Sequence, residues 1–179
     1  AVSSRLNDLA IADFLLFARP ISARKEKIHL NRLIEEILQM FIHSPDFTPQ
    51  IRLETQFQDD LYIQGDPHQI RQVFWNLFIN AAQAMPEGGT LRVDLGRNSP
   101  SAPLSEGRSY GEVAVSDSGA GIGEEEMGKI FDPFFTTKER GTGLGLSIVH
   151  SIVESYGGKI TVQSQVGQGT TFRILFPIH

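Results

Sequence analysis

The stretch DPHQIRQVFWNLFINAAQAM, residues 66–85, contains the strongest structural signal in the chain of 179 residues. It predicts a helix over about 67–85, because Asp66 can cap the first turn, Pro67 suits the first helical position and Gln69 follows the cap by three residues. Apolar side chains surround this helix almost completely, so we expect it to be buried. One narrow stripe of amides interrupts the apolar surface at helical spacing, and it consists of Gln72, Asn76, Asn80 and Gln83.

Two interpretations of the amide stripe are open from these residues alone. A buried amide without partners is costly. In the first interpretation the neighbouring backbone satisfies the stripe, which is the commoner outcome for an arbitrary helix. In the second the stripe faces a ligand, because a side-chain carbonyl is a hard oxygen donor suited to Mg²⁺, an ion that also takes ligands from water and phosphates.

Two glycine-rich turns are candidates for ligand binding. DSGAGIG, residues 117–123, follows a predicted strand, and a carboxylate at a strand end beside glycines suits recognition of a purine amino group, although it could also be an ordinary turn. GTGLG, residues 141–145, opens a predicted helix that ends at Tyr156, and amides at a helix N-terminus suit polyphosphate. Taken alone, this second motif is weak, because it lacks the further pattern of a Walker loop or a dinucleotide fold.

Hydrophobic periodicity predicts the remaining elements. Apolar side chains at helical spacing predict a helix over 2–17, ended by Pro20, and a helix over 30–42, capped by Asn31 or a neighbour. The Pro, Ser and Gly-rich stretch 97–111 predicts a mobile hairpin loop. The predicted strands are 51–57, 90–95, 111–116, 159–164 and 171–176. Helices interleaved with mostly hairpin-connected strands favour an α+β sandwich, with one mixed sheet covered on one face.

Composition excludes several functional classes. A net charge of -5 argues against nucleic acid as a partner, and the lack of cysteine excludes disulfides and thiolate metal sites. The apolar runs are too short to cross a bilayer, so we expect this piece to be soluble and cytoplasmic. A membrane anchor in a parent protein is neither shown nor excluded. The chain begins in the middle of a helical pattern without Met, from which we expect a fragment of a longer protein.

Five motifs in a fixed order resemble the ATP-binding catalytic domain of sensor histidine kinases of two-component systems. They are the amide-bearing helix, DSGAGIG at 117–123, FDPFF at 131–135, GTGLGL at 141–146, and Gly167, Gly169 and Thr170, which match the N, G1, F, G2 and G3 boxes of that family. The likeness extends from about Lys27 to Pro177. It implies a Bergerat-type fold, a two-layer α/β sandwich whose mixed sheet has helices on one face.

The first residues resemble another part of the same family. The segment from Leu6 to Pro20, which ends in DFLLFARP, is similar to the last helix of the dimerisation and histidine-phosphotransfer domain, most closely in the nitrogen-regulation type of sensor kinase. The expected organisation is therefore a dimerisation helix over 1–19, a linker over 20–29, which includes the charged connector 24–27, and a catalytic domain over 30–179.

The resemblance implies roles at the adenine and metal ends of an ATP site. Asn80 matches the amide that holds Mg²⁺ against the ATP phosphates, and Asn76 lies one turn before it. Asp117 matches the carboxylate that accepts a hydrogen bond from the adenine amino group. Thr170 matches the threonine that completes the adenine contact, with Thr171 as the alternative one residue away.

At the phosphate end, the resemblance implies a lid over Glu124–Arg140, with Lys138 and Arg140 as cations for the outer phosphates. The lid residues Phe131, Phe134 and Phe135 either anchor the lid to the core or control its closure. The expected catalytic residues are Asn76, Asn80 and Lys138. Glycines Gly119, Gly121 and Gly123 are expected to shape the adenine turn, and Gly141, Thr142, Gly143, Leu144 and Gly145 to contact phosphate.

The implied reaction is transfer of the ATP γ-phosphate to a histidine that this chain lacks. The implied partners are the dimerisation and histidine-phosphotransfer domain of the same kinase, a homodimer in the parent, and the receiver domain of a response regulator. The chain's own histidines occur in no phosphoacceptor pattern, and we interpret them as surface or structural residues. They are His29, His43, His68, His150 and His179.

Three alternatives share this fold: an ATPase, a serine kinase, and a binding module without enzymatic activity. The first two place a Glu as general base four residues before the metal-binding Asn, where this chain has Asn76. A histidine nucleophile has a lone pair at neutral pH and needs less help, so an amide there favours transfer to histidine. The intact motifs argue against the binding module.

Overall fold

The computed structural model describes residues 25–98, 108–136 and 145–178. The helix predicted over 2–17 and the dimerisation segment 1–19 lie outside these residues. No helix among the described residues combines the length and hydropathy needed to cross a membrane.

The described residues form a mixed five-stranded sheet and a separate two-stranded sheet. Across the five-stranded sheet the strands follow the order Ile51–Phe57 (β2), Gly89–Asn98 (β4), Tyr110–Asp117 (β5), Gly169–Pro177 (β7) and Lys159–Gln165 (β6). Strands β2 and β4 are parallel, and the other pairs are antiparallel. This arrangement confirms the predicted α+β class. The elements are β1 (Glu26–His29), α1 (Leu30–Ile42), β2 (Ile51–Phe57), β3 (Tyr62–Gly65), α2 (Pro67–Gln83), β4 (Gly89–Asn98), β5 (Tyr110–Asp117), α3 (Glu124–Met127), α4 (Gly145–Ser155), β6 (Lys159–Gln165) and β7 (Gly169–Pro177).

Helix α2 packs across one face of the five-stranded sheet and forms the centre of the core. Its cap is the predicted one, since the Asp66 side chain accepts a hydrogen bond from the backbone N–H of His68 at 2.9 Å. Phe74 and Phe78 are fully buried. The ring of Phe74 contacts that of Phe176, and the ring of Phe78 contacts that of Phe41. Each such ring contributes about 1.5–3 kcal/mol through burial. The helix that carries the amide stripe is therefore held firmly by its apolar sides.

The two-stranded sheet was not predicted from the sequence. Strands β1 and β3 pair antiparallel, with Ile28 opposite Ile63, and both of these side chains are buried. Residues 26–29 lie within the segment predicted as a linker, so that part of the linker is in fact a strand. With four residues each, these strands are too short to show a period in sequence.

Asn31 does not cap α1. His29 occupies the N-cap position and makes no side-chain cap bond. The Asn31 side chain instead donates to the carbonyl of Asp59 at 2.7 Å and accepts from the N–H of Leu61 at 2.9 Å. A residue already inside the first turn can turn its amide towards the adjacent loop, and here it joins α1 to the segment before β3.

Candidate functional site

Asp117 is the last residue of β5 and is 8% exposed. Its Oδ1 accepts a hydrogen bond from the N–H of Gly119 at 2.9 Å, which closes the turn that follows the strand. In the sheet register Asp117 lies opposite Thr170 of β7. The carboxylate predicted to contact adenine and the threonine predicted to assist it are thus neighbours on adjacent strands.

Backbone hydrogen bonds join this turn to two other elements. The N–H of Ala120 donates to the carbonyl of Ala84 at 3.1 Å, at the C-terminal end of α2. The carbonyl of Ala120 accepts from the N–H of Gly167 at 2.7 Å, in the hairpin between β6 and β7. The turn is therefore fixed between the end of the amide-bearing helix and the last hairpin of the sheet.

Three glycines around the turn are required by close backbone contacts. A Cβ at Gly119 would lie 2.3 Å from the carbonyl oxygen of Ala84, and one at Gly121 would lie 2.2 Å from that of Gln165. Gly121 also has φ +76, and Gly169, whose Cβ would meet the Asp117 carbonyl oxygen, has φ +101. Gly123, the third glycine of the motif, has open space around it.

The register of β7 puts the two threonines on opposite faces of the sheet. Thr170 is 4% exposed on the same side as Asp117, and its Oγ1 lies 2.7 Å from Oγ of Ser164. The hydroxyl of Thr171 lies on the opposite face, where it is 2.9 Å from that of Ser116. Of the two, Thr170 is the one beside the turn.

Ser164 is a residue of this site that the sequence analysis missed. Its Oγ accepts a hydrogen bond from the N–H of Ile122 at 2.7 Å, so it connects β6 to the turn. The sequence did contain an indication of this role. The alternation of β6 puts Ser164 on the same face as Ile160 and Val162, and a hydroxyl on such an apolar face needs a hydrogen-bond partner.

The amide stripe of α2 faces α4. The Nδ2 of Asn76 donates to the carbonyl of Gly145 at 3.2 Å, and its Oδ1 accepts from Nε2 of Gln72 at 2.9 Å. The first interpretation, satisfaction by neighbouring backbone, therefore holds for the Nδ2 of Asn76, whereas Gln72 bonds to another amide of the stripe. Asn80 is half-buried one turn further along, and Gln83 is exposed.

The donor atoms near α2 suit magnesium only with further ligands. No cluster of three or more His, Asp or Glu side chains able to hold a metal occurs in the part of the chain that the structure describes. Asn76 keeps a second lone pair on Oδ1 besides the one used by Gln72. Neutral amide oxygens plus phosphate oxygens and water are a set that Mg²⁺ accepts, whereas amides alone would not hold it.

The three lid phenylalanines differ in their surroundings. Phe131 contacts the ring of Phe172 with centroids 6.5 Å apart and that of His150 at 5.2 Å, and Phe135 also packs against the core. Phe134 is 62% exposed and has φ 67, a left-handed conformation that is unusual for a bulky residue. Phe131 and Phe135 are thus core anchors of the lid, and Phe134 is not.

Several predicted site residues lie outside the described residues. They are Lys138, Arg140, Gly141, Thr142, Gly143 and Leu144. Gly145, the last of the phosphate-side motif, opens α4 as predicted.

The described histidines fit the surface or structural interpretation. His43 and His68 are exposed. His29 stacks on Tyr62 with centroids 4.7 Å apart, and His150 contacts Glu154 one turn along α4. His179 lies outside the residues that the structure covers.

Comparison with known proteins gives consistent matches. The sequence profile of the family described as histidine kinase-, DNA gyrase B-, and HSP90-like ATPase matches residues 65–179. The sensor histidine kinase ZraS of Escherichia coli strain K12 is 37% identical over 99% of this chain and 36% of its own length. Sporulation kinase A of Bacillus subtilis strain 168 is 37% identical over 95% of this chain and 27% of its own length.

Among solved structures, the catalytic domain of the histidine kinase ThkA is 33% identical, with a TM-score of 0.69 over 86% of this chain and 97% of that one. The mycobacterial sensor histidine kinase MprB has a TM-score of 0.74 at 26% identity, over 87% of this chain and 99% of that one. The chain spans about a third of the length of the curated relatives named above and almost all of these two solved chains.

Proposed function

The chain belongs to the histidine kinase-, DNA gyrase B- and HSP90-like ATPases, as the ATP-binding catalytic domain of a sensor histidine kinase, and from this premise we propose the reaction of the whole protein. The whole protein transfers the γ-phosphate of ATP to a histidine on a dimerisation domain, from which the phosphoryl group passes to an aspartate of a response regulator. The relatives ZraS and sporulation kinase A carry kinase names, which supports this proposal.

The observation that carries the proposal is the junction of the Asp117–Gly123 turn with the C-terminal end of α2. The hydrogen bond from Ala120 to Ala84 holds this junction. A ligand whose ring contacts Asp117 and Thr170 can thereby extend its phosphates along α2 towards Asn80. A nucleoside triphosphate has this layout, with a flat ring bearing an amino donor at one end and anionic oxygens at the other.

We assign the following roles within this layout. Asp117 accepts a hydrogen bond from the adenine amino group, assisted by Thr170. Asn80, with Asn76 one turn before it, presents an amide oxygen to Mg²⁺, which neutralises phosphate charge when bound. The residues assigned to the phosphates are Lys138, Arg140, Gly141, Thr142, Gly143, Leu144 and Gly145.

The chain's contribution to the chemistry is positioning. In the transfer, the bond between the γ-phosphorus and its bridging oxygen breaks, a phosphorus–nitrogen bond to imidazole forms, and ADP leaves with the electron pair. The imidazole nitrogen attacks with its own lone pair, so no carboxylate base is needed at the position of Asn76. The Asn76 amide makes hydrogen bonds to Gln72 and to Gly145, which suits a side chain that holds α2 beside the start of α4.

The finer parts of the proposal concern the parent protein. The dimerisation and phosphotransfer domain, a homodimer and a response regulator receiver domain are its partners, and the site faces the cytoplasm, where ATP is supplied. The nitrogen-regulation type rests on the motif DFLLFARP at residues 13–20 alone.

Incubation with ATP labelled at the γ-phosphate tests the reaction. The chain alone should acquire no label, because it lacks the acceptor. A separately supplied helical hairpin that carries the phosphoacceptor histidine of a related kinase should be labelled slowly, since the effective concentration of a tether is lost. The label should be acid-labile and base-stable, as a phosphoramidate is. Acid-stable label on the isolated chain would indicate a serine kinase, and steady phosphate release without acceptor would indicate an ATPase.

Two variants test the assigned roles by calorimetry. Asp117→Asn should weaken binding of ATP and of adenosine strongly, because an amide can present a donor to the adenine amino group where an acceptor is needed. Asp46→Asn, at an exposed carboxylate away from the site, is its control. Asn80→Ala should reduce the dependence of ATP affinity on Mg²⁺, with the exposed Gln83→Ala on the same helix as control. Unchanged adenosine affinity in the first or unchanged Mg²⁺ dependence in the second would refute that role.

A further inference from the structure

Tyr156, directly after α4, contacts the start of α2. Its hydroxyl accepts a hydrogen bond from the N–H of Asp66 at 3.0 Å and donates one to Oε1 of Gln69. Its ring lies against Gly65, where an added Cβ would be 3.2 Å from Cε1. Gln69, predicted from sequence to return to the helix cap, is instead the acceptor for this hydroxyl.

The hydroxyl remains a donor under ordinary conditions. Burial raises the pKa of Tyr156, the nearby charge of Asp66 raises it further, and the hydrogen bond from the Asp66 backbone lowers it. A neutral phenol can donate to Gln69 and accept from Asp66 at the same time. The hydroxyl thus both donates and accepts a hydrogen bond, and both partners lie at the start of α2.

A second contact joins the same two helices at the other end of α4. The amide of Asn76 donates to the carbonyl of Gly145, the first residue of α4. The start of α2 therefore lies beside the end of α4, and the middle of α2 lies beside the start of α4, so the two helices run antiparallel. The helical rise is about 15 Å from Asp66 to Asn76 and about 16.5 Å from Gly145 to Tyr156, so the two contacts are spaced almost equally on both helices.

The two contacts together define the axial position of α2 relative to α4. The buried apolar side chains hold α2 against its neighbours, but their contacts are non-directional. The hydrogen bonds at both ends of α4 are directional, so they add a constraint on the axial position of α2. Any slide of α2 would separate Gln69 from Tyr156, and Asn76 from Gly145, by the same amount.

We propose that Tyr156 is a positioning residue for the phosphate end of the site. Its hydroxyl holds α2 in register with α4, and this register places the amide of Asn80 relative to Gly145 at the start of α4. The inference rests on the proposed function, in which Asn80 meets the metal and Gly145 meets the phosphates. Asp117 and Thr170 are held by the pairing of strands β5 and β7, and their turn bonds to α2 at its C-terminal end, through Ala120 and Ala84, not at the end that Tyr156 contacts.

Tyr156→Phe tests the inference, because it removes the hydroxyl and keeps the ring against Gly65. Calorimetry at a temperature where the variant is folded should compare adenosine with ATP, the latter with and without Mg²⁺. The gain in ATP affinity on adding Mg²⁺ should fall roughly five- to tenfold, the equivalent of about one hydrogen bond, while adenosine affinity stays within about twofold. Tyr62→Phe, at an exposed tyrosine of β3, is the matched control and should change neither quantity.

Gln69→Ala provides a second variant that removes the acceptor from α2. It should reproduce the part of the effect that comes from the bond between Tyr156 and Gln69. The double variant should lose no more than Tyr156→Phe alone, because that variant already removes this bond together with the one from the Asp66 N–H. Loss of stability in Tyr156→Phe with an unchanged Mg²⁺ effect would overturn the inference and leave the tyrosine as a core residue. If the wild type shows no ATP binding, the proposed function falls and the inference falls with it.

Discussion

The turn over Asp117–Gly123 and the described part of the lid, residues 124–136, follow one another in the chain and are built differently. In the turn, Gly119 and Gly121 face backbone atoms so closely that no side chain fits. In the lid, Gly128 has open space around it, and Phe134 is exposed. The turn is thus shaped by close backbone contacts, whereas residues 124–136 are held by the buried side chain of Ile130 and by the half-buried rings of Phe131 and Phe135.

The largest expected effect is a difference in unfolding free energy between two glycine-to-alanine variants, one in the turn and one in the lid. Gly121→Ala puts a Cβ against the Gln165 carbonyl oxygen, at a residue whose φ of +76 is unfavourable for alanine. It should lower the unfolding free energy by about 3 kcal/mol or more. Gly128→Ala, at φ -72 in open space, should be neutral or stabilise by up to about 1 kcal/mol. Urea denaturation of both variants measures the difference. Equal stabilities would show that the turn adapts as readily as the lid.

The second effect lies within the lid itself. Phe131→Ala should lower the unfolding free energy by about 2 kcal/mol, since it removes half-buried contacts to Phe172 and His150. Phe134→Ala should change it by less than about 0.5 kcal/mol, as expected of an exposed side chain. Thermal unfolding of the two variants is the measurement, and a cost for Phe134→Ala as large as that for Phe131→Ala would contradict the assignment of anchors.

A smaller effect tests the hydrogen bonds of the turn. Ser164→Ala leaves the N–H of Ile122 without its acceptor and should cost about 1 kcal/mol. Ser151→Ala, at an exposed serine on α4, is the control with no expected cost. The same chemical denaturation series can include both. Were Ser164→Ala as stable as the control, the bond to Ile122 would contribute nothing to the turn.

The smallest expected effect is the change in amide hydrogen exchange of the turn when nucleotide binds. Amide hydrogen exchange at Ala120 and Gly167 should be slow without ATP and barely slower with it, because both N–H groups are already bonded to backbone carbonyls. The described part of the lid, residues 124–136, should exchange faster than the turn in the absence of nucleotide, and it should gain protection on binding. Strong protection of the lid before ATP is added, with no change afterwards, would remove the distinction between the two regions.

Local sequence was sufficient to predict α2 and the place of Asp117 at the end of a strand. The cap at Asp66, the apolar periodicity and the amide stripe are all properties of neighbouring residues, and the structure forms this helix within two residues of the predicted end. The position of Asp117 at the end of a strand was predictable for the same reason.

The features that the sequence analysis missed depend on residues far apart in the chain. Strand β1 exists because it pairs with β3, and neither is long enough to show its own period. Ser164 and Thr170 meet through the register of β6 and β7, and only that register separates Thr170 from Thr171. The partner of Gln69 lies in the last third of the chain, so a capping interaction was the nearest local alternative.

The parallel pairing of β2 with β4 bears on the folding of the molecule. The pairs β4–β5 and β6–β7 join strands that are consecutive in the chain, but β2 can align with β4 only after residues 58–88 have been arranged between them. Closing this long connection costs chain entropy before any strand contact is gained. The connection contains α2, so the edge strand can add only as the amide-bearing helix docks. Molecules with a complete sheet and an unformed α2 should therefore not accumulate during refolding.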